Sequence, residues 1–317
     1  MSRGFIGKRA TQEPHRARRA EIMKKHPEIK TLFGHDPNAK WICLILIALQ
    51  IYISATLPHV GWLTYCTVTY AVGATITQAL FLAVHETSHN LMFRSARSNQ
   101  WFSILLNLPI TIPFAIAFRH YHLDHHKYQG ESGRDTDLPT DFEISIVNNK
   151  TSKLLWMAFQ IVMYALRPVI HGTNRLKPDF LLLCNIVAQL GVDVLIYRFL
   201  GGGALRYLLT SVLIAGGLHP CAGHFLSEHY VFDPSHTQET FSYYGNLNLL
   251  TWNVGYHNEH HDFPFVPGSR LPMVHKIANE YYAPLVKCDS WIRTIYRYVA
   301  TPAIGPHSRV VYVPLRK

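Results

Sequence analysis

Four apolar runs constrain the fold of this chain more than any other feature, because each is close to the ~20 residues that a helix needs to cross a bilayer. The runs lie at about 41–58, 62–84, 180–200 and 204–226. A short turn joins the first two runs and three glycines join the last two, so each pair is expected to form a helical hairpin. The sequence therefore predicts an all-α integral membrane protein with four transmembrane helices in two hairpins.

Two further apolar stretches are interrupted by residues that disfavour a straight span. Residues 101–118 contain Pro109 and Pro113, and residues 154–171 end at Arg167-Pro168. We therefore expect both stretches to lie in the plane of the interface. The predicted domains are a basic cytosolic segment, 1–40, and a membrane domain, 41–317, whose residues 227–317 form a cytosolic helical cap.

Positive charge is concentrated at the start of the chain. The net charge is +10, and residues 1–40 hold ten of the Lys and Arg residues. This distribution favours a cytosolic N-terminus that contacts anionic membrane lipid. A solvated basic arm is the simpler alternative, and no nucleic-acid-binding pattern accompanies the charge. The five cysteines are irregularly spaced and indicate neither a disulfide framework nor a zinc ribbon.

Histidines cluster in three short boxes beside the apolar runs. Within each box the spacing is i, i+4 or i, i+3, i+4, which places the imidazoles on one helix face. Eight imidazoles exceed the four ligands of a structural zinc site and suit two metal ions with open positions. Imidazole binds iron, copper, nickel and zinc, so the spacing does not choose the metal. The boxes are His85 and His89; His122, His125 and His126; and His257, His260 and His261.

Two other interpretations remain open from the residues alone. His85-Glu86-x-x-His89 also matches the zinc-protease motif, in which the glutamate is a general base. A membrane metalloprotease would leave six clustered histidines unexplained, and it would need no reductant. A non-enzymatic lipid-binding or scaffold protein would tolerate replacement of the box histidines without loss of function.

The three-box pattern H-x-x-x-H, H-x-x-H-H, H-x-x-H-H resembles that of the membrane fatty-acid desaturase and hydroxylase superfamily. Residues 26–34, 135–143 and 248–264 resemble sphingolipid Δ4-desaturases, also called dihydroceramide desaturases, and the resemblance covers nearly the whole chain. It implies O2-dependent desaturation of dihydroceramide, which has a sphinganine backbone, at C4–C5 to give the Δ4-trans ceramide. A sphingolipid C4-hydroxylase, or a bifunctional enzyme, would share every box and stays open.

The resemblance also implies cofactors, partners and a location. It suggests two iron ions (Fe2+), O2 as co-substrate, and a ceramide or sphingoid lipid as substrate. Electrons would come from cytochrome b5 and its NADH reductase. The chain would be a multi-pass protein of the endoplasmic reticulum membrane, with its N-terminus and histidine boxes in the cytosol.

Further site residues are predicted around the boxes. The stretch Glu228-His229-Tyr230 resembles an element that supplies an isolated histidine ligand, so His229 is the expected ninth ligand. Ligating imidazoles commonly donate their other N–H to a carboxylate or carbonyl. The carboxylates expected to fill this supporting role are Glu86, Asp124, Glu259 and Asp262. His224 is expected either to support a ligand in the same way or to be a core residue. A loop carrying Asp135, Asp137 and Asp141 could orient ligands or the lipid head group.

Overall fold

The computed structural model describes residues 5–8, 14–170, 179–233, 235 and 238–312. Arg3 and Arg9 of the basic segment, residue 171 of the second in-plane stretch, and residues 234, 236–237 and 313–317 of the cap lie outside these ranges. The α-helices are α1 (Pro14–Lys25), α2 (Ala39–Thr56), α3 (Trp62–Val68), α4 (Ala74–Ser88), α5 (Ala96–Asn107), α6 (Ala115–Tyr128), α7 (Asp141–Ile146), α8 (Lys150–Ala158), α9 (Gln160–Ile170), α10 (Phe180–Leu200), α11 (Gly202–Ala215), α12 (His224–Ser227), α13 (His257–Asp262), α14 (Leu271–Ile277), α15 (Asn279–Tyr282) and α16 (Trp291–Ala300). Short 3₁₀ helices lie at Pro27–Leu32, Leu57–His59, Leu108–Ile110, Pro220–Gly223, Asn246–Leu250 and Gly268–Arg270, and a π-helical turn lies at Thr69–Gly73. The strands are β1 (Ile6–Lys8), β2 (Ser242–Tyr243), β3 (Lys287–Cys288) and β4 (Val310–Tyr312).

Four helical segments within the described ranges are long and apolar enough to cross a membrane. They are Ala39–His59, Trp62–Ser88, Phe180–Leu200 and Gly202–Ser227. The predicted integral membrane protein with four spans is therefore confirmed. The second segment ends at Ser88 rather than near residue 84, so His85 lies inside its last turn.

The four segments differ in how much protein surrounds them. The apolar windows of the second and fourth are 67% and 61% buried, whereas those of the first and third are only 22% and 17% buried. The outer helices α2 and α10 therefore present apolar side chains to lipid, including Ile45 and Phe199, which are 66% and 77% exposed. Buried Gln50 links three segments, because it donates to the Thr77 hydroxyl and accepts from Tyr207.

The two hairpin turns meet at one end of the bundle. If residue 203 were alanine instead of glycine, its Cβ would lie only 2.8 Å from the Cβ of Pro58. The two turns can therefore approach this closely only because Gly203 has no side chain. Gly201 has a φ of +82°, which favours glycine. The histidines of box one lie at the other end of Trp62–Ser88, far from this turn.

Neither predicted in-plane stretch forms one straight span. Ala96–Ile110 and Ala115–Tyr128 are bent by 117° at their break. Asn107 stabilises the bend, because its side chain accepts from the backbone N–H groups of Phe114 and Ala115 and donates to Gln189 of α10. The second stretch forms the short helices α8 and α9, which are separated at Phe159.

Short elements of the cap and of the N-terminal segment cover the histidine end of the bundle. Strand β1 pairs in parallel with β4, and β2 pairs in parallel with β3. Helix α1 contacts α13, which carries box three. The described part of the basic segment is therefore folded against the cap, and only tertiary contacts reveal this arrangement.

Candidate metal centre

Four different elements bring the predicted ligands together. His85 lies in the last turn of α4 and His89 caps its C-terminus. Box two lies on α6, box three forms most of α13, and His229 follows α12. All nine imidazoles that the sequence predicts as ligands converge in one region.

Five of these histidines form a first group, in which one ligand atom from each lies within 4.8 Å of all the others. The shortest separations join the Nε2 atoms of His89 and His122, at 2.8 Å, and those of His85 and His260, at 3.0 Å. The members are His85, His89, His122, His126 and His260.

The other four histidines form a second group beside the first. His125, His229 and His261 meet the same 4.8 Å criterion. His257 joins them through its Nε2 atom, which lies 3.0 Å from Nε2 of His229. The rings of His126 and His261 stack with centroids 4.1 Å apart, so the two groups are adjacent.

The convergence of so many imidazoles fits metal binding better than mutual hydrogen bonding. Burial, and then the neighbouring imidazoles, lower the pKa values of His257, His260 and His261, so these rings are neutral and keep a free lone pair. The Nε2 atom of His261 is buried and has no hydrogen-bond partner in the described part of the chain. Nitrogens about 2.1 Å from a shared ion at right angles lie about 3 Å apart, as these atoms do. The two groups could therefore hold two metal ions.

Two of the rings that the sequence predicts as ligands are oriented by hydrogen bonds from their second nitrogen. His125 Nδ1 lies 3.0 Å from a carboxylate oxygen of fully buried Asp135, and His229 Nδ1 lies 3.1 Å from the backbone carbonyl of Glu239. Such contacts fix the ring and direct the other nitrogen towards the metal. Asp135 is thus the member of its loop that contacts a box histidine.

The carboxylates within box three are placed differently from the expectation. Glu259 accepts hydrogen bonds from Ser242 and Tyr244 and contacts His275, and Asp262 is bonded by His15, Arg18 and Tyr282. At about 100° per residue, positions 259 and 262 lie on the helix face opposite to 257, 260 and 261. These two carboxylates therefore anchor α13 to its surroundings instead of bonding the box imidazoles.

The three remaining supporting candidates lie at different distances from the groups. Glu86 accepts from the Gly268 N–H, and its other oxygen lies 3.8 Å from His85 Nδ1. His224 bonds Glu228 and Gln78 and stays outside both groups. The hydrogen bond with Tyr128 is the main cause of the raised pKa of the exposed Lys127, and the charge of the half-buried Asp124 adds to it.

Several residues beside the centre were not predicted as site residues. His15 and Arg18 contact α13 from the distant N-terminal segment, His275 contacts it from the neighbouring helix α14, and none of the three belongs to a histidine box. Two further histidines that lie near the boxes in sequence take no part in the two groups. His120 contacts Asp179, and His219 contacts Thr75.

Replacing Asp135 by asparagine is expected to weaken metal retention, and any activity that depends on the metal, by about 10–100-fold. Asparagine preserves the shape but removes the charge that supports the Nδ1–H of His125. Metal content of the purified protein and product formation are the measurements. Asp141→Asn is the matched control, because Asp141 is exposed at the start of α7, just after the loop that carries Asp135. Unchanged metal content in Asp135→Asn would contradict the role.

A cavity leads to both groups of histidines. It holds about 760 Å³ of empty space, part of it open to the surroundings. Box histidines His85, His122, His125 and His257 line it together with His229. Its other walls are mainly apolar and include Phe81, Phe114, Phe118, Ile161, Phe225 and Val254. An alkyl chain could therefore reach the nitrogen atoms of the candidate metal centre.

Comparisons with known proteins agree with this arrangement. The pattern of the fatty acid desaturase family matches residues 60–289, and that of sphingolipid Delta4-desaturases matches residues 9–38. A protein of Oryza sativa subsp. japonica named sphingolipid delta(4)-desaturase DES1-like is 47% identical over 300 residues, covering 95% of this chain and 90% of the relative. The Drosophila melanogaster sphingolipid delta(4)-desaturase DES1 is 47% identical over 302 residues, covering 95% and 93%.

A third relative joins two activities in its name. This Caenorhabditis elegans protein, named for sphingolipid delta(4)-desaturase and C4-monooxygenase activities, is 44% identical over 306 residues, covering 96% of this chain and 83% of the relative. Similarity of this extent includes the spans, the histidine boxes and the N-terminal segment. The chain thus belongs to the membrane-integral fatty acid desaturase family and, within it, to the sphingolipid delta(4)-desaturases.

Proposed function

We propose that this enzyme desaturates dihydroceramide at C4–C5 to the Δ4-trans ceramide, using O2, two iron ions and electrons from cytochrome b5. The observation that carries the proposal is the convergence of nine imidazoles at one end of a largely apolar cavity. Because the chain belongs to the fatty acid desaturase family, we prefer this function to the metalloprotease and scaffold interpretations. In the balanced reaction the lipid loses two hydrogens, and O2 with two electrons and two protons becomes two waters.

The residues of this chain would hold, support and shield the metals. The first group would bind one iron and the second group the other, with Asp135 fixing the ring of His125. Iron with O2 would supply the oxidising power for an unactivated C–H bond. The apolar walls, including Phe118 and Val254, would exclude water and align the sphingoid chain.

The position of the new double bond requires the polar head group to lie beside the histidines. C4 is one bond of about 1.5 Å from the carbon that bears the 3-hydroxyl. A second, smaller pocket with about 330 Å³ of empty space, part of it open to the surroundings, adjoins the cavity and shares Asp137, Ile161, Tyr164 and Phe225 with it. Gln160 and Arg167 also line this pocket. It is our proposed site for the amide and hydroxyl groups.

The charged residues of this pocket already have partners. Burial alone would raise the pKa of Asp137, but the nearby Arg309 lowers it, so the carboxylate remains ionised and paired. Arg167 donates to the Asp137 carbonyl and to Glu143. The Nε2 atom of Gln160, in contrast, is buried without a partner among the described residues. It is available to donate to a neutral oxygen of the substrate.

Gln160→Leu is expected to raise the KM for dihydroceramide about fivefold with little change in kcat, because a hydrogen bond of about 1 kcal/mol is lost from substrate binding. The measurement is a titration of substrate in mixed micelles, repeated with an analogue that lacks the 3-hydroxyl and with one that lacks the amide carbonyl. For the wild type, the KM of one analogue should be higher than that of dihydroceramide. For the variant, the KM values of this analogue and of dihydroceramide should be similar. Equal KM values for both proteins would contradict the role of Gln160.

The first test of the function is the analysis of sphingoid bases by mass spectrometry in cells that lack their own Δ4-desaturase. Expression of the chain should produce a base with two hydrogens fewer than sphinganine. A product with one oxygen more would favour C4-hydroxylation, which the name of the Caenorhabditis elegans relative makes the second candidate.

Microsomes depleted of cytochrome b5 or its NADH reductase should lose the activity and regain it when the missing protein is added.

The same proposal includes location and orientation. The endoplasmic reticulum would supply the donor and the lipid, and the boxes and N-terminus would face the cytosol. Basic residues of the N-terminal segment and cap could attract an acidic electron donor. Protease protection of tagged N-termini in sealed microsomes tests the orientation, and full protection of the tag would contradict it.

A further inference from the structure

The N-terminal helix α1 contacts box three through one buried carboxylate. Arg18 donates to both oxygens of Asp262, from Nε at 2.6 Å and from Nη2 at 2.9 Å. His15 Nδ1 lies 2.8 Å from the same carboxylate, and the Tyr282 hydroxyl donates to it at 3.0 Å. Asp262 has no solvent exposure. Three side chains from other parts of the chain therefore satisfy the hydrogen-bonding capacity of the Asp262 carboxylate, at the last residue of α13.

Two further contacts connect α1 directly to the ligand-bearing helix. The ring of His15 packs against that of His261, with centroids 4.8 Å apart. Arg18 also donates to the side-chain carbonyl of Asn258 at 3.0 Å. His15 is 4% exposed, and its Nε2 lies 2.9 Å from the Thr240 hydroxyl, which fixes the ring from its other side.

Helix α13 depends on such contacts for its position. It has only six residues, and a helix this short is not stable by itself in water. It nevertheless carries three of the predicted ligands, on the face opposite Glu259 and Asp262. Glu259 is held by Ser242 and Tyr244, so α1 provides the second anchor, at Asp262.

We propose that His15 and Arg18 are positioning residues, which hold α13 through Asp262 so that its imidazoles face the metal centre. This inference rests on the proposed metal site. It assigns a role to the N-terminal segment, where the sphingolipid Delta4-desaturase pattern matches residues 9–38 apart from the histidine boxes.

The division of ligands predicts an asymmetric effect. α13 supplies His257 and His261 to the second group of four but only His260 to the first group of five. Displacement of α13 therefore removes half of the ligands of one ion and a fifth of those of the other. Weakening the α1 contact should release the ion of the second group first.

The experiment compares Arg18→Ala and His15→Phe with Lys24→Ala in purified, iron-loaded protein. Lys24 is an exposed residue of the same helix, so its replacement removes an equal charge without touching α13. Iron per chain is measured during dialysis against a chelator. Both test variants should lose one ion at least tenfold faster than wild type, Arg18→Lys should recover part of the retention, and Lys24→Ala should match wild type.

Hydrogen exchange of the metal-free proteins supplies a readout that does not depend on iron. The amides of residues 257–263 should exchange at least tenfold faster in Arg18→Ala than in Lys24→Ala, with helix α4 unchanged. Unchanged exchange there, or simultaneous loss of both ions, would overturn the inference. If the wild type binds no metal but exchange responds as expected, the proposed metal site fails and the anchoring of α13 stands.

Discussion

Alanine in place of His260 is expected to abolish desaturation while the chain still folds and enters the membrane. The Nε2 atom of His260 lies 3.0 Å from that of His85 and 3.1 Å from that of His126, at the centre of the first group. Loss of residues that only support ligands costs about 10–100-fold in metal affinity or activity. Loss of a ligand itself should therefore reduce product by at least about 100-fold.

The control for this variant is His120→Ala. His120 lies on α6 beside box two, but its Nε2 contacts Asp179 at 3.5 Å and takes part in neither group. Product is measured as unsaturated sphingoid base per unit of membrane-inserted protein, and bound metal is measured in the same preparations. A His260→Ala protein with wild-type product and metal content would refute the assignment of His260 as a ligand.

Glu143→Ala is expected to reduce the free energy of unfolding by about 3–5 kcal/mol, because it leaves the charge of the buried Arg167 without the carboxylate that pairs with it. The Arg167 guanidinium bonds both oxygens of Glu143, at 3.0 and 2.9 Å, and the Trp156 indole donates to the same carboxylate. The two charged side chains are only 1% and 3% exposed. Glu143 also completes the capping box of α7 with Thr140.

The pH dependence of this pair follows from its charges. Burial alone would raise the pKa of Glu143, but Arg167 lowers it below its usual value. A carboxyl whose pKa is depressed in the folded state stabilises the protein above its unfolded pKa, and this stabilisation is lost as the pH falls through the folded pKa. The pair therefore stabilises the fold at neutral pH and loses this effect in acid.

Thermal unfolding in detergent measures the cost of Glu143→Ala against two controls. Glu131→Ala breaks the exposed pair with Arg134 and should cost less than about 1 kcal/mol. The double variant Glu143→Leu with Arg167→Met replaces both charges by apolar groups and should recover much of the stability. If the single and double variants unfold at the same temperature, the unpaired charge is not the cause.

The membrane architecture could be predicted from the sequence because lipid imposes a local constraint. A segment in the bilayer must satisfy its backbone hydrogen bonds internally and present apolar side chains outward, so length and composition identify the spans. The predicted runs at 41–58 and 180–200 agree with the structure within two residues at each end. The prolines of 101–118 likewise indicated the break that the structure places between Ile110 and Ala115.

The partition of ligands could not be predicted from spacing. His125 and His126 are neighbours on α6, yet they belong to different groups, as do His260 and His261 on α13. Successive residues on a helix point about 100° apart, and which group each joins depends on the helix that faces it. The histidine spacing determined that a multi-imidazole centre exists, whereas the packing of α4, α6 and α13 decided its division.

The four spans, the nine candidate imidazole ligands and the family could be predicted from the sequence, because these depend on local composition and on motifs. The folded structure was needed to show that Glu259 and Asp262 anchor α13 and that α1 contributes His15 and Arg18 to this anchor. These contacts join residues more than 200 positions apart in the case of α1. Such pairs have no signature in a single chain, because they are selected by the free-energy cost of leaving the buried carboxylate unpaired, and this carboxylate is buried only in the folded cap.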